Sequence, residues 1–232
     1  WATWSAFENN VSAADKDGNA REPYLMNLKK LCEKANNIGM IVDVTLSRGN
    51  GVVGSGSLPS QEAHINAVTL LAKELKPFRN IYFDLANERN IQDRRHVTFE
   101  ELAILREKIK EIDPARLITA SQGGDISADE LAKYLKIVKV DFITPHRPRH
   151  AGTPQETIEK TKEYFRLMQD IGIVVPLHYQ EPFRRGYGSW SPTAEDFLTD
   201  LKNAKENGAT GWCFHNGDTR DAKDGRPRRS FD

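Results

Sequence analysis

Six short apolar runs are spread along the chain, and each is predicted to form a β-strand. They cover residues 40–46, 81–86, 117–121, 140–144, 173–179 and 210–214. Each run is rich in Val, Ile, Leu or aromatic residues, without the alternation that marks a strand with one wet face. This pattern is typical of parallel strands that are buried on both faces. Residues 1–4 are predicted to be the end of a further strand.

Amphipathic helices are predicted between these strands. Apolar residues recur at helical spacing around residues 25–38, 65–75, 102–112 and 197–204. Capping boxes, in which a Ser or Thr is followed three residues later by Glu, predict helix starts at Thr98, Ser127 and Thr153. Helix ends are predicted at three glycines, Gly39, Gly172 and Gly208.

The alternation of strand and helix predicts an α/β fold with a parallel sheet and right-handed crossovers. Links from strand to helix are long and polar, whereas links from helix to strand are short. That asymmetry is typical of a (β/α)8 TIM barrel with one functional face. Six complete strands do not close a barrel of eight. We therefore expect residues 1–232 to form a single partial barrel domain that lacks the first βα unit and the last helix, cut from a longer product.

Composition and charge narrow the function without fixing it. The chain is 38% hydrophobic and 28% charged, and its 33 basic residues balance its 33 acidic ones. A neutral chain has no general attraction to nucleic acid or to membranes, so neither is an expected partner. No apolar run reaches 18 residues, and the first residues do not form a signal peptide. Cys32 and Cys213 lie in apolar contexts and are predicted to be buried free thiols.

Two glutamates follow apolar strands directly and are the candidate catalytic groups. Glu88 follows the run 81–86, with Asn87 before it, and Glu181 follows the run 173–179. Carboxyl ends of parallel strands share one edge of the sheet, so the two carboxylates are predicted to face each other. Cleavage of a glycosidic bond needs such a pair, one protonated and one ionised. A single glutamate of this kind is more often a surface charge, but two at equivalent positions favour catalysis.

Several motifs, in chain order, resemble those of clan A glycoside hydrolases. The run 82–88, Tyr-Phe-Asp-Leu-Ala-Asn-Glu, resembles the fourth-strand motif that supplies the acid/base glutamate. The run 175–181, Val-Pro-Leu-His-Tyr-Gln-Glu, resembles the seventh-strand motif that supplies the nucleophile. Gly211-Trp212 resembles the eighth-strand motif. The opening Trp-Ala-Thr-Trp and the Asp-Gly-Asn at 17–19 look most like family 5, cellulase-like enzymes, so the resemblance covers nearly the whole chain.

The resemblance implies a retaining glycoside hydrolase that cleaves a β-linked oligosaccharide or polysaccharide by double displacement. Glu88 would be the acid/base and Glu181 the nucleophile. No cofactor is implied, and the implied partner is a carbohydrate substrate. The sequence leaves localisation open, and the resemblance is compatible with a secreted or periplasmic location. The predicted substrate-binding residues are Asn87, His146, His178, Tyr179, Trp212, Arg48 and Arg147.

Individual roles follow from the same resemblance. Asn87 would hydrogen-bond the sugar 2-hydroxyl, and Trp212 would form the floor of the sugar site. His146 stands where the clan places a His or Tyr near the acid/base. Alternation along the strand sends Tyr179 to the same side as Glu181, so Tyr179 is expected to face the site rather than His178.

Arginines are concentrated at the predicted functional face: Arg48, Arg89, Arg147, Arg149, Arg184 and Arg185. They could bind an acidic sugar such as a uronate, but pairing with nearby carboxylates is favoured because two acids in one site need balancing.

Two other function classes stay open. One is a carbohydrate-binding barrel without catalysis. The other is a metal-dependent barrel hydrolase or isomerase that uses histidines near Glu181, although no His-x-His or His-Glu-x-x-His motif is present. The Gly-rich stretch 49–56 lacks phosphate-loop spacing and is predicted to be a rim loop.

Overall fold

The computed structural model describes residues 2–5, 12–46, 58–91, 96–185 and 189–215. The chain forms two compact units. The first contains Trp1–Gly123 and Lys133–Phe142, and the second contains Gly124–Ala132 and Ile143–Asp232. Arg48 and the Gly-rich stretch 49–56 lie outside the described residues. The prediction of one partial barrel domain stays a prediction.

The first unit is built on a parallel sheet of four strands in the order β1-β2-β3-β4. The strands are β1 (Ala2–Ser5), β2 (Val42–Thr45), β3 (Ile81–Asp84) and β4 (Leu117–Thr119). Every residue of β2 and β3 is buried, so the prediction of strands covered on both faces is confirmed for these two. The opening segment pairs with β2 as a strand from Ala2, which confirms the prediction for residues 2–4, while Trp1 lies outside the described residues.

Helices follow each of these strands, which is the α/β alternation expected for crossovers between parallel strands. They are α1 (Glu22–Asn37), α2 (Gln61–Glu74) and α3 (Phe99–Ile112), followed after β4 by α4 (Ala128–Lys133) and a π-helical turn (Tyr134–Val138). The capping box at Thr98 is confirmed, since its hydroxyl accepts from the Glu101 amide while the Glu101 carboxylate accepts from the Thr98 amide. Ser127 and Glu130 make the same reciprocal pair.

The second unit contains α5 (Thr153–Ile171), β5 (His178–Tyr179), α6 (Ala194–Glu206) and β6 (Gly211–Trp212). β5 and β6 are parallel, with His178 opposite Gly211 and Tyr179 opposite Trp212. Gly39, Gly172 and Gly208 end helices with φ of 72°, 81° and 98°, as the sequence predicted. A left-handed backbone of this kind suits glycine because it has no Cβ.

Two local predictions were wrong. The run 140–144 forms an isolated bridge from Ile143 to Leu177 rather than a strand. Thr153 does not cap α5, because the helix already includes it and its hydroxyl donates to the Pro148 carbonyl at 2.8 Å. The capping box that the sequence reading missed is at Thr193, with Asp196.

Cys32 and Cys213 are both buried thiols and neither forms a disulfide, as predicted. Among the described helices, none is both long enough and apolar enough to span a bilayer.

Candidate active site

Glu88 lies in the first unit, just beyond the end of β3. Asn87 and Glu88 are both half-buried, whereas the six residues before them are fully buried. The chain therefore changes from core to accessible surface at the position where the sequence placed the acid/base. The amide of Asn87 donates to the Leu46 carbonyl, which ties this turn to the end of β2.

The backbone of Glu88 is left-handed, with φ of 45°. A residue with a Cβ pays about 1 kcal/mol or more for this conformation, so something must hold it. The Glu88 amide donates to the Ser121 hydroxyl at 2.9 Å, and the Arg89 amide donates to the Ser121 carbonyl at 3.1 Å. Ser121 follows β4, so the turn after β3 is anchored to the turn after β4.

Glu181 lies in the second unit, two residues after β5, and an arginine and two histidines contact its carboxylate. Arg149 Nη2 lies 2.7 Å from Oε1, and His215 Nε2 lies 2.8 Å from the same oxygen. His146 Nδ1 lies 3.2 Å from Oε2. The carboxylate is thus held at both oxygens by groups from the segment after residue 143 and from the segment after β6.

These contacts decide the ionisation of Glu181. Burial by itself raises the pKa of the carboxyl group, but His146, His215 and Arg149 outweigh burial and hold the pKa of Glu181 well below its ordinary value. The side chain keeps 20% of its surface exposed. Glu181 is therefore an ionised, oriented carboxylate that is still reachable from solvent.

His146 is fixed by a second contact. Its Nε2 lies 2.9 Å from Oε1 of Gln180, and both side chains are buried. Gln180 thereby determines that Nδ1 is the ring nitrogen that faces Glu181. The structure places His146 against Glu181, and its role in substrate binding stays a prediction.

His178 lies on β5 against the backbone of β6. Its ring touches Gly211, where an added Cβ would come within 2.2 Å of Nδ1. Burial lowers the pKa of His178 to about 4, and the positive field of His146 adds to that effect while Gly211 opposes it. His178 is thus a neutral ring packed beside the Glu181 cluster.

The predicted orientation of Tyr179 was wrong. Its ring is fully buried, and its hydroxyl lies 2.7 Å from Thr161 Oγ1 on α5. Trp212 also points into the helix layer, because its indole N–H donates to Asp200 on α6 at 2.6 Å. The strand-end aromatic side chains therefore form hydrogen bonds with α5 and α6.

Arg147 is likewise not at a solvent-facing position. Its guanidinium is buried, donates to Asp125 at 2.5 Å, and lies over the ring of Tyr179 at 5.9 Å. Thr157 of α5 accepts a second, longer bond at 3.5 Å. The structure shows these pairings, and substrate binding by Arg147 stays a prediction. Pairing of arginines with carboxylates is observed for Arg147 with Asp125 and for Arg149 with Glu181.

The sequence did not assign specific contacts at these two glutamates to Ser121, Arg149 or His215. Arg149 was predicted only as one of several arginines that pair with nearby carboxylates, and Ser121 was not singled out. Each one follows a strand or an isolated bridge by a few residues, which is the same position that marked Glu88 and Glu181. Polar residues just after strands were the available signal.

The chemistry open to these groups differs between the units. Glu181 is ionised and positioned, as a nucleophile or an electrostatic stabiliser must be. Glu88 sits on a strained turn at a strand end, where its carboxyl group is accessible in part and its backbone is fixed. Positioned carboxylates of this kind serve acid/base and nucleophilic roles in glycosidic bond cleavage.

Comparison with solved structures shows that this fold is that of glycoside hydrolases. A glycoside hydrolase matches with a TM-score of 0.68 at 15% identity, covering 90% of this chain and 49% of that one. An exo-β-1,4-mannosidase from an Opitutaceae bacterium matches at 0.61 and 17% identity, covering 92% and 45%. A GH5-4 broad-specificity endoglucanase from an uncultured bacterium matches at 0.59 and 11% identity, covering 86% and 70%.

The resemblance to family 5, cellulase-like glycoside hydrolases is therefore confirmed at the level of the fold. The chain spans less than half the length of the glycoside hydrolase and of the exo-β-1,4-mannosidase named above. No protein-family model and no curated protein matches the chain in sequence.

Proposed function

We propose that this chain is the catalytic part of a retaining glycoside hydrolase that acts on a β-linked oligosaccharide or polysaccharide. The observation that carries the proposal is the carboxylate of Glu181, which is held ionised after a strand by Arg149, His146 and His215. The likeness of the fold to glycoside hydrolases and the order of the strand-end motifs along the chain support it.

We further propose that the strands belong to a partial (β/α)8 barrel and that Glu88 and Glu181 act on the same bond. Parallel strands of such a barrel present their carboxyl ends on one face, where catalytic residues collect. Retention requires the two carboxyl groups to be roughly 5–5.5 Å apart, which is the separation we expect. A separation near 9 Å would instead leave room for water and favour inversion.

In the first step, a carboxylate oxygen of Glu181 attacks the anomeric carbon and forms an ester with it. The bond from that carbon to the leaving oxygen breaks, and Glu88 donates its proton to that oxygen. In the second step, Glu88 removes a proton from water, the water oxygen attacks the anomeric carbon, and the ester to Glu181 breaks. Both carboxyl groups end in their starting protonation states, and the product keeps its β configuration.

The contacts of Glu181 fit its proposed role. A nucleophile must be ionised at neutral pH, and His146, His215 and Arg149 hold the pKa of Glu181 well below its ordinary value. Asn87 is proposed to hydrogen-bond the sugar 2-hydroxyl, a contact that strengthens in the transition state. Arg149 is proposed to orient Glu181 rather than to bind an acidic sugar, because its guanidinium is already engaged by the carboxylate.

A panel of neutral polysaccharides, uronate-bearing polysaccharides and aryl β-glycosides tests the proposal through release of reducing ends. We expect hydrolysis of at least one neutral β-glycoside, and loss of more than about a thousandfold in rate when Glu181 is replaced by Gln. The isosteric change keeps the volume of the side chain and removes its charge. Undiminished turnover in that variant, or no hydrolysis by the native protein of any member of the panel, would end the assignment.

The runner-up function is a carbohydrate-binding barrel without catalysis. The observation that favours it is the dense pairing of Glu181, which also suits a carboxylate with only a structural role. This alternative predicts binding of oligosaccharides by calorimetry without any release of reducing ends, and that pair of results would replace hydrolysis as the conclusion.

A further inference from the structure

The turn that carries Glu88 is held by the segment that follows β4. Glu88 has φ of 45°, one of three positive values at non-glycine positions in the described part of the chain. Its amide donates to the hydroxyl of Ser121 at 2.9 Å. Ser121 is fully buried, so this bond is shielded from competition with water.

The Ser121 hydroxyl bonds backbone groups on both sides of Asn87. It accepts from the Glu88 amide and lies 3.5 Å from the Ala86 carbonyl, to which it donates. The Ser121 carbonyl accepts from the Arg89 amide at 3.1 Å. One residue after β4 thus contacts three of the four residues 86–89, and the left-handed residue lies in the middle of them.

Asp84, at the end of β3, holds Ser121 in turn. Its Oδ1 accepts from the Ser121 amide at 3.0 Å and from the Ala86 amide at 3.2 Å. The Asp84 side chain is fully buried, which makes these charge-assisted bonds strong. Asp84 therefore ties the segment that contains Glu88 to the segment that contains Ser121.

A second connection lies beyond Glu88. The side chain of Asn90 bonds both backbone groups of Gly123, accepting from its amide at 2.7 Å and donating to its carbonyl at 2.9 Å. A Cβ on Gly123 would stand 3.4 Å from the carboxyl carbon of Glu88 and 3.1 Å from Ile91 Cδ1. An added Cβ would thus contact the carboxyl group of Glu88 and would crowd Ile91, which lies closer.

We propose that Ser121, braced by Asp84, is a positioning residue that sets the direction of the Glu88 carboxyl group. This inference rests on the proposed function, because it assigns Ser121 a role only if Glu88 donates a proton to the leaving oxygen. Ser121 touches no reacting atom and acts through the backbone of Glu88. Moving a proton donor by a fraction of an ångström slows the reaction, and the rate falls most for leaving groups that depend on protonation.

The test is a series of aryl β-glycosides whose leaving phenols differ in acidity. Dinitrophenyl groups leave without a proton, whereas phenyl groups need one. Ser121→Ala should slow kcat/KM for the phenyl glycoside about tenfold or more and for the dinitrophenyl glycoside less than about threefold. Ser121→Thr keeps a hydroxyl and should restore most of the phenyl rate.

Thr119→Val is the matched control. Thr119 lies on β4, two residues before Ser121, is also fully buried, and donates its hydroxyl to the Phe142 carbonyl at 2.8 Å. Loss of the Thr119 hydroxyl should lower the melting temperature without changing the ratio of kcat/KM between the phenyl and dinitrophenyl glycosides. Equal slowing of all substrates by Ser121→Ala, as in the control, would overturn the positioning role.

Two further variants keep the inference falsifiable if Ser121→Ala does not fold. Gly123→Ala adds a methyl group next to Ile91 and the carboxyl group of Glu88. It should also lower kcat/KM more for the phenyl glycoside than for the dinitrophenyl glycoside. Adding Gly123→Ala to Glu88→Ala should change the rates less than about twofold, since no acid is left to position. Full, independent effects in the Glu88→Ala background would overturn the inference.

The outcomes separate the two proposals. In one outcome the native protein hydrolyses the aryl glycosides, and Glu88→Ala slows the phenyl glycoside more than the dinitrophenyl glycoside. If the Ser121 and Gly123 variants then leave the ratio of the two rates unchanged, only the positioning role fails. If neither the native protein nor any variant releases a phenol, the proposed function and the positioning role both fail.

Discussion

Replacement of Arg147 by Ala should cost stability rather than substrate affinity. The side chain is 1% exposed, and its guanidinium bonds Asp125 while stacking over Tyr179. Asp125 also accepts from the Tyr164 hydroxyl at 3.2 Å. Removing Arg147 leaves this carboxylate without its closest cation and empties the space between α5 and β5.

The expected magnitude follows from burial. Breaking a buried ion pair from one side costs about 3–5 kcal/mol, because the remaining charge stays uncompensated. Asp125 keeps 26% of its side-chain surface exposed and Lys160 lies 3.9 Å away, so water and that amine offset part of the loss. We therefore expect about 3 kcal/mol for Arg147→Ala, at the lower end of that range.

Urea denaturation followed by circular dichroism measures this cost. A loss of about 3 kcal/mol should lower the midpoint by about 1 M or more at an ordinary slope. The double variant with Asp125→Ala should be less destabilised than the sum of the two single variants. Arg79→Ala is the control, since Arg79 also pairs with a carboxylate, Asp113, but is 57% exposed and should cost less than about 1 kcal/mol.

An unchanged midpoint for Arg147→Ala, together with a raised KM, would refute this reasoning. That result would mean that Arg147 faces the substrate, as the sequence pattern suggested. Additive costs in the double variant would show that the contact with Asp125 contributes nothing, and the loss would then come from packing alone.

Three other predictions concern burial. Protonation of His178 is disfavoured in the folded protein, where its pKa is about 4 against an ordinary 6.5. The free energy of unfolding should therefore fall by up to about 3 kcal/mol as pH drops from 6.5 to 4. Over this pH range the melting temperature should fall less in His178→Gln than in the native protein. Gly211→Ala should destabilise strongly because its Cβ would meet the His178 ring at 2.2 Å, whereas Gly39→Ala, with open space and φ of 72°, should cost only about 1 kcal/mol in a urea titration. Cys32, whose pKa burial raises to about 11, and the buried Cys213 should react with a thiol reagent only on unfolding; rapid labelling of the native protein would contradict their placement.

Much of the backbone could be read from the sequence, because local rules govern it. Runs rich in apolar residues, such as 81–86, lack the alternation of a strand with one solvent-exposed face. Thr98 with Glu101 marks a helix start through contacts within one turn. Glycine at position 172 marks a helix end for the same reason. These features depend on neighbours along the chain, which the sequence displays directly.

Side-chain directions at the strand ends could not be read in this way. Tyr179 and Trp212 turn toward helices because Thr161 and Asp200 offer buried hydrogen-bond partners there. Those partners lie on other elements, at positions that the pattern of apolar and polar residues along the strands does not indicate. Alternation alone placed Tyr179 on the side of Glu181, but β5 ends at Tyr179 and the rule stops with the strand.

Covalent trapping tests the central claim, that Glu181 is the nucleophile, most directly. The native protein is incubated with a 2-deoxy-2-fluoro aryl glycoside of the sugar it hydrolyses, digested, and mapped by mass spectrometry. The account predicts one fluoroglycosyl ester, carried by the peptide that contains Glu181 and absent from Glu181→Gln. An ester on another carboxylate, or turnover that yields the inverted anomer without any ester, would contradict it.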